Sequence, residues 1–376
     1  MHAIVVGGGI GGLATARGLG QQGWDVTVLE RQPDLRQIGA GISLWPNALR
    51  ALHHLGLGDA VERAGGRIRG GGLRTWDGRW LSRVELGAPP VMVHRADLHE
   101  ILLDGLPATI RSGHPVTDVH ALDADLIVGA DGIRSAVRAA YTPKTKIRDS
   151  GQVSWRAVVD AETPGGGETM GPRGWRFGYA PTGHGTVYWY VAAPGPLRTG
   201  TPAEQLAELR SELSSWHDPV GRLLDATPPE LLLHHPLLEL HPVAPMRFGE
   251  RVALVGDAAH AMTPNLGQGA CQALEDAVTL ALLLPKGAPV PPALEVYDQQ
   301  RRARTAAISR QSRQIGRLVG AKGRLSGALV RTLFRLTPDR LAAAGAQRVA
   351  AWSPEDVKRP ADVNRDAGVR PADGRR

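Results

Sequence analysis

The chain opens on an unbroken apolar run, Ala3 to Val6, followed by a helical pattern over Leu13 to Leu19 and a second apolar run, Val26 to Leu29. Short continuous runs of aliphatic and β-branched residues predict strands covered on both faces, and a helix between two of them predicts a βαβ unit. Two more runs, Leu126 to Ala130 and Arg251 to Val255, each lead through a turn into a helical pattern, the first from about Ser135, the second from after Asn265 to Leu284. A helix is also predicted at Asn47 to Leu55, closed by Gly56. Residues 65–90 read as hairpins. From about 150 to 245 the period shortens to two with Gly and Pro punctuation, interrupted by one helix at Pro202 to Trp216. PKGAPVPP, residues 285–292, holds four prolines and is expected to be a loop, and from Ala293 the pattern is helical to about Ala351.

These elements predict a Rossmann-like, three-layer α/β domain made of residues 1–70, 91–150 and 245–300. A β-rich unit, 71–90 and 151–244, is inserted in it; 301–350 form a basic helical region, and 351–376 a tail with few large apolar groups, expected to be disordered. The length of 376 residues, 42% hydrophobic and 22% charged, suits this division into more than one compact unit. Cys271 is the sole cysteine, which rules out an internal disulfide and fits a reducing, cytoplasmic setting. No secretion signal is read in the opening MHAIVVGGGIGG, and the longest strongly apolar stretches, such as Val278 to Leu284, fall far short of the ~20 residues that span a bilayer. The thirteen histidines show no metal-ligand spacing, so no metal site is expected.

The net charge of +7 is uneven. Residues 301–350 hold twelve Lys or Arg and one acid, Asp339, whereas residues 1–300 sum to −5. The basic balance therefore belongs to the C-terminal helices and argues against a nucleic-acid partner for the body. Leu325, Leu329, Leu333 and Phe334 lie among those cations, and the expected arrangement is an apolar stripe packed on the α/β unit with the arginines in water. Peripheral contact with an anionic membrane or an acidic partner is the alternative. Oligomeric state is not readable.

Three motifs carry chemistry. Gly7, Gly9 and Gly12 form a GxGxxG between a strand and a helix, with Glu30 closing the next strand eighteen residues on. The first glycine makes the tight turn, the second lets a pyrophosphate approach the backbone, and the third lets helix pack on strand. The helix N-terminus offers N–H groups to phosphate, and the carboxylate suits ribose hydroxyls and disfavours a 2′-phosphate, so the nucleotide is FAD or NAD. GADGIRSAVR, residues 129–138, puts Asp131 in a turn, with Arg134, Ser135 and Arg138 opening a helix where an anionic cofactor would lie. In residues 251–277 a strand delivers Asp257 to its carboxyl end, and the loop Pro264 to Gly269, with Gly267 inside it, leads into a helix. A carboxylate there suits hydroxyls of a linear sugar chain, and the helix start favours a ring that becomes anionic on reduction.

On these motifs the chain resembles the class A flavoprotein aromatic hydroxylases, single-component FAD monooxygenases typified by para-hydroxybenzoate hydroxylase, and most closely their salicylate, 3-hydroxybenzoate and urate hydroxylase branch. The resemblance covers residues 1 to about 340. It implies bound FAD, transient NADH or NADPH, and hydroxylation of an aromatic or polycyclic small molecule with dioxygen through a flavin hydroperoxide. By the same resemblance Gly7, Gly9, Gly12, Glu30 and Arg31 hold the ADP half, and Asp131 with the Arg134 turn serves the pyrophosphate and the nicotinamide. Asp257 binds the ribityl chain, the Pro264–Gly269 loop faces the isoalloxazine, Arg95 contacts the flavin, and Ser43 and Val116 make lesser contacts. From the residues alone, Ser43 equally suits a helix cap and Val116 an ordinary strand position. Only nine residues separate Val116 from Leu126 where relatives have a longer hairpin, so a truncated flap is expected.

Six of the seventeen aromatics fall between Trp175 and Tyr190, in two alternating runs around PTGHG. Alternation puts Trp175, Phe177 and Tyr179 on one face, and Tyr188 and Tyr190 opposite to Trp189. Trp155, Arg156, Trp175, Phe177, Tyr188 and Trp189 are the candidate substrate wall, with packing of sheet on core as the competing reading; Arg156 and Tyr188 are the candidates for assisting catalysis. A flavin-dependent epoxidase or reductase of an isoprenoid-like substrate shares the three cofactor motifs, and a non-enzymatic FAD protein is a more remote alternative. The WxWxIP of halogenases is absent.

Overall fold

The computed structural model describes residues 1–35, 39–68, 71–83, 87–321 and 323–362. Parts of the expected hairpin region, the end of the expected tail and the Leu325 side chain lie outside the described residues. The first elements are β1 (His2–Val6), α1 (Ile10–Gln21), β2 (Asp25–Glu30), β3 (Gly41–Leu44), α2 (Pro46–His54), α3 (Gly58–Ala64), β4 (Gly66–Arg67), β5 (Gly72–Thr75), β6 (Trp80–Arg83), β7 (Val91–His94), α4 (Arg95–Leu103), β8 (Thr109–Ser112), β9 (Leu126–Gly129) and α5 (Ala136–Tyr141). They are followed by β10 (Lys146–Asp160), β11 (Gly167–Met170), β12 (Arg176–Gly183), β13 (Thr186–Pro194), α6 (Pro202–Glu212), α7 (Val220–Asp225), β14 (Leu233–His241), β15 (Arg247–Phe248), β16 (Val252–Leu254), α8 (Asp257–His260), α9 (Gly269–Leu283), α10 (Val290–Val319), α11 (Arg324–Leu336) and α12 (Asp339–Val349).

The apolar runs of the sequence assemble into one six-stranded sheet, order β15-β16-β9-β1-β2-β8, parallel except for β15. Its central strands are buried because helices cover both faces, which is why they read as continuous rather than alternating. A three-stranded sheet, β3-β7-β4, sits beside it. Between Ser112 and Leu126 the chain forms no strand, so Val116 lies in the loop after β8 rather than in a strand. α10 begins at Val290 instead of after the prolines, because Pro291 and Pro292 occupy its first turn, where a missing N–H costs nothing.

The inserted unit is a seven-stranded sheet, β14-β10-β13-β12-β11-β5-β6. β12 and β13 meet in a two-residue turn, His184 (φ 51) and Gly185 (φ 72), whose positive φ angles follow the twist of the strands. One parity of this sheet carries Trp155, Phe177 and Trp189, joined by Trp175, and packs under α6 and α7 against Leu206, Leu209, Trp216 and Leu223. The placement departs from the sequence reading: Trp155, Trp175, Phe177 and Trp189 are core of the helix-covered face, not cleft wall. Their polar ends confirm the direction, since Trp155 Nε1 donates to Gln205 Oε1 at 2.8 Å and Trp189 Nε1 to Thr227 Oγ1 at 3.0 Å. The other parity, Arg156, Val158, Tyr188, Tyr190, Arg176 and Ala180, faces the α/β domain.

Two C-terminal expectations change. α11 packs Val330 and Phe334 on Met170, Leu73 and Leu81 of the seven-stranded sheet, not on the α/β domain. The first part of the expected tail is docked: Trp352 is buried against α2 and α9, and Arg50 Nε donates to its carbonyl at 2.9 Å.

Candidate active site

The site is built from turns at the carboxyl ends of the parallel strands. Leaving β1, Gly7 takes φ 108, and a Cβ there would lie 2.5 Å from the Ala130 carbonyl oxygen. A Cβ on Gly12 would lie 1.9 Å from the Gly7 carbonyl oxygen, so helix α1 can sit this close to β1 only with glycine. Gly9 differs, since a Cβ there would meet nothing, and no side chain caps α1 behind it. At the end of β2, Glu30 accepts from Gly8 N at 2.7 Å and Gln32 N at 2.9 Å, with exposed Arg31 next to it. His114 N, two residues before half-buried Val116, donates to the Glu30 carbonyl at 2.8 Å. His99, unmarked by any sequence pattern, is buried with Nε2 2.8 Å from the Gly8 carbonyl oxygen and ties α4 to the glycine loop.

At the end of β9, one oxygen of Asp131 accepts from Ala136 N at 2.6 Å and Val137 N at 3.3 Å, while its Oδ1 is buried without a partner among the described residues. Arg138 is buried and donates to the carbonyls of Ala258, at 2.8 Å, and Ile133, at 2.6 Å; it clamps two turns together rather than facing an anion. Burial pulls its pKa down and Asp131 opposes this. Arg134 remains exposed.

Beyond β16 the chain turns at Gly256 (φ 62), and Asp257 stands exposed at the start of α8. The loop from Pro264 passes through Gly267 (φ 62) into α9 at Gly269. Gly267 lies against β3 and its continuation: a Cβ there would be 2.7 Å from Ser43 Oγ and 2.9 Å from Trp45 Nε1. Ser43 is thus a loop contact and not the cap of α2, whose N-cap is Trp45. The Trp45 Nε1 is itself buried without a partner among the described residues. Asn265 spans the loop: its Nδ2 donates to Thr263 Oγ1 and the Ser312 carbonyl, both at 3.0 Å, and its Oδ1 accepts from Arg176 Nη2 at 2.8 Å.

The inner face of the inserted sheet completes the site. Arg95, first residue of α4, has its pKa pulled down by burial; the charge of Asp257 opposes that shift and that of Arg156 adds to it. Burial raises the Tyr188 phenol, against the charge and hydrogen bond of Arg156. Burial also carries Tyr190 well above its ordinary value, helped by Glu168, to which it is hydrogen-bonded. Glu168 in turn pairs with Arg176 Nη1 at 3.1 Å. The Tyr188 side chain lies against Gly41 of β3, where a Cβ would come within 2.4 Å of its Cγ. Tyr190, Arg176, Glu168 and Asn265 escaped the sequence reading as a group because they sit on four separate segments.

Behind the loop lies a buried charge cluster. Arg301 Nε meets Asp276 Oδ1 at 2.7 Å and also pairs with Glu275, while Asp276 Oδ2 meets His260 Nε2 at 2.6 Å. Asn47 Nδ2 donates to Glu275 Oε1 at 2.6 Å and to Gln268 Oε1 at 3.0 Å, coupling the cluster to the loop.

The open side of Gly9, the uncapped start of α1, the unpartnered Asp131 Oδ1 and Trp45 Nε1, and the acid of Asp257 fit a long dinucleotide cofactor running from the glycine loop to residues 264–269. Family comparison agrees: an FAD binding domain family matches residues 82–312 and an FAD dependent oxidoreductase family residues 2–83. Aurachin C monooxygenase/isomerase of Stigmatella aurantiaca is 36% identical over 85% of this chain and 89% of its own length. The 2-heptyl-3-hydroxy-4(1H)-quinolone synthase of Pseudomonas aeruginosa is 36% identical over 90% of this chain and 95% of its own length. A Klebsiella pneumoniae protein solved with FAD and uric acid superposes with a TM-score of 0.86 at 29% identity, covering 94% of this chain and 98% of that one. The chain belongs to the class A flavoprotein aromatic hydroxylase family. It is an FAD-dependent monooxygenase, and NAD(P)H is the family's electron donor.

Proposed function

We propose that this monooxygenase hydroxylates a fused-ring, largely apolar aromatic acceptor, held between the inner face of the inserted sheet and the loop 264–269. The observation that carries the reading is the 2.8 Å hydrogen bond from Arg176 Nη2 to Asn265 Oδ1, which joins the inner face of the inserted sheet directly to the loop 264–269, so that the two halves of the site meet. Acceptor chemistry follows from that face: Tyr188, Tyr190, Val158 and Ala180 offer apolar surface, and Arg156 beside Tyr188 offers a cation, whereas Arg176 is paired with Glu168. The names of the Stigmatella and Pseudomonas relatives, an aurachin and an alkylated quinolone, are of this class.

Gly7, Gly9, Gly12, Glu30, Arg31 and Val116 would surround the ADP half of FAD, Asp131 and Arg134 its pyrophosphate, and Asp257, Ser43, Arg95, Pro264, Gly267 and Gly269 its ribityl and ring portion. When bound, FAD supplies hydride acceptance and oxygen activation. The N–H groups at the start of the fifteen-residue α9 face negative charge favourably. Arg156 would stabilise an acceptor oxyanion and so keep the ring electron-rich. Tyr188, its phenol raised by burial, stays protonated and acts as a hydrogen-bonding group rather than a base.

The test is acceptor-stimulated NADH or NADPH oxidation by the purified yellow protein, with mass analysis of product formed under labelled dioxygen. Stimulation with label incorporation is expected for a hydroxyquinolone-type acceptor, and Arg156→Met should raise KM for an ionisable acceptor more than for a neutral one. Stimulation without incorporated label, or an acceptor-bound structure with the ring away from Arg156 and Tyr188, would overturn the reading.

A further inference from the structure

α11 has one broad apolar face, and only its inner part is buried. Val330 is buried with Met170 and Val319, and Phe334 packs beside them with Leu73 and Leu81. Beside that buried strip Leu329, Leu333 and Leu336 are 71%, 52% and 74% exposed, and their spacing of four and three residues makes one stripe along the helix. Leu341, 65% exposed, carries the stripe into α12. Scattered exposed leucines are ordinary, but a contiguous stripe rimmed by charge marks a contact surface. The rim is basic: Arg335, Arg340 and Arg348 are exposed, in a region with twelve Lys or Arg and one acid, while residues 1–300 carry a net −5.

We propose that this outer face of α11 and α12 docks on an anionic phospholipid surface. An amphipathic helix with leucines on one face and arginines on its flanks lies in the headgroup layer, with apolar side chains at the acyl boundary and guanidinium groups snorkelling to phosphate. Charge decides against a second copy of the chain as occupant, because a two-fold contact would set one basic rim against the other. No helix among the described residues is long and apolar enough to cross a membrane, so docking would be peripheral and salt-sensitive. Since the inner face of α11 rests on β6 and on Met170 of β11, docking holds the edge of the inserted sheet at the lipid surface. That an apolar acceptor would enter from there rests on the acceptor class proposed above; the docking itself does not.

Sedimentation of the full flavoprotein with phosphatidylcholine vesicles, with and without phosphatidylglycerol, tests it without reference to turnover. Pelleting is expected with the anionic vesicles only and should fall as salt is raised. The Arg335→Glu/Arg340→Glu protein should bind at least about tenfold more weakly, from roughly fivefold per arginine lost at an anionic surface. Leu329→Asp/Leu333→Asp should abolish pelleting while leaving bound flavin and melting temperature unchanged. No pelleting of the parent at low salt, or equal pelleting of parent and both variants, would overturn the proposal. So would a dimer in analytical ultracentrifugation that Leu329→Asp/Leu333→Asp dissociates, which assigns the face to a second copy.

Discussion

Arg176 and Asn265 stand 89 residues apart in the chain and are joined by a 2.8 Å hydrogen bond from guanidinium Nη2 to amide Oδ1, so the inserted sheet grips the loop that opens α9. Arg176 is buried and also pairs with Glu168. Arg176→Met should therefore lower stability by about 2–3 kcal/mol, less than a fully buried pair because Glu168 is partly solvated. Arg176→Lys should recover only part of this, since one ammonium cannot replace a planar fork that reaches two partners. Thermal melting of the three proteins checks the order.

Two glycines of one motif should fail in different ways. Gly12→Ala forces a Cβ to 1.9 Å from the Gly7 carbonyl oxygen, so the protein should be strongly destabilised or fail to accumulate. Gly9→Ala adds a methyl to open space, so the flavin-free protein should melt as the parent does while FAD affinity falls at least about tenfold if the pyrophosphate approaches the backbone there as proposed. Melting of the flavin-free proteins and fluorescence titration with FAD separate the two effects.

The charge cluster behind the loop predicts the acid side of the stability curve. Burial alone would raise the Asp276 and Glu275 carboxyls, yet His260 and Arg301 hold the first, and Arg301 and Arg304 the second, below the usual range. Carboxyls depressed in the folded state contribute stability that is full above their unfolded values near pH ~4 and is lost as pH falls through the folded ones. Arg301→Met should cost about 3–5 kcal/mol and move the acid-unfolding midpoint to higher pH, read by circular dichroism from neutral pH downward.

Cys271 should be chemically silent in the native protein. Burial within α9 pushes its thiol up to about 12, so thiolate is scarce even in mildly alkaline buffer. Labelling with a disulfide reagent at mildly alkaline pH should be slow in the folded flavoprotein and prompt after denaturation. Fast native labelling would mean that the start of α9 opens.

What the sequence could say, it said where the chemistry is local. The glycine loop, the Asp131 turn and the Asp257 turn are each contiguous, because a strand end, a turn and a helix start suffice to build them, and Gly7, Gly12 and Gly267 carry geometry that only glycine meets. The inserted sheet was different. Alternation in β10, β12 and β13 divides the side chains between two faces but does not say which face another layer will cover, and the parity richer in tryptophan went under α6 and α7. The face toward the α/β domain was left to Arg156, Tyr188 and Tyr190, and its polar links to Glu168, Arg176 and Asn265 form only once four separate segments meet. The C-terminal helices repeat the lesson. Composition showed cations and leucines interspersed; packing of Val330 and Phe334 on the inserted sheet decided which leucines stayed in water. Periodicity defines the faces of an element, and only its neighbours in space determine which of them is buried.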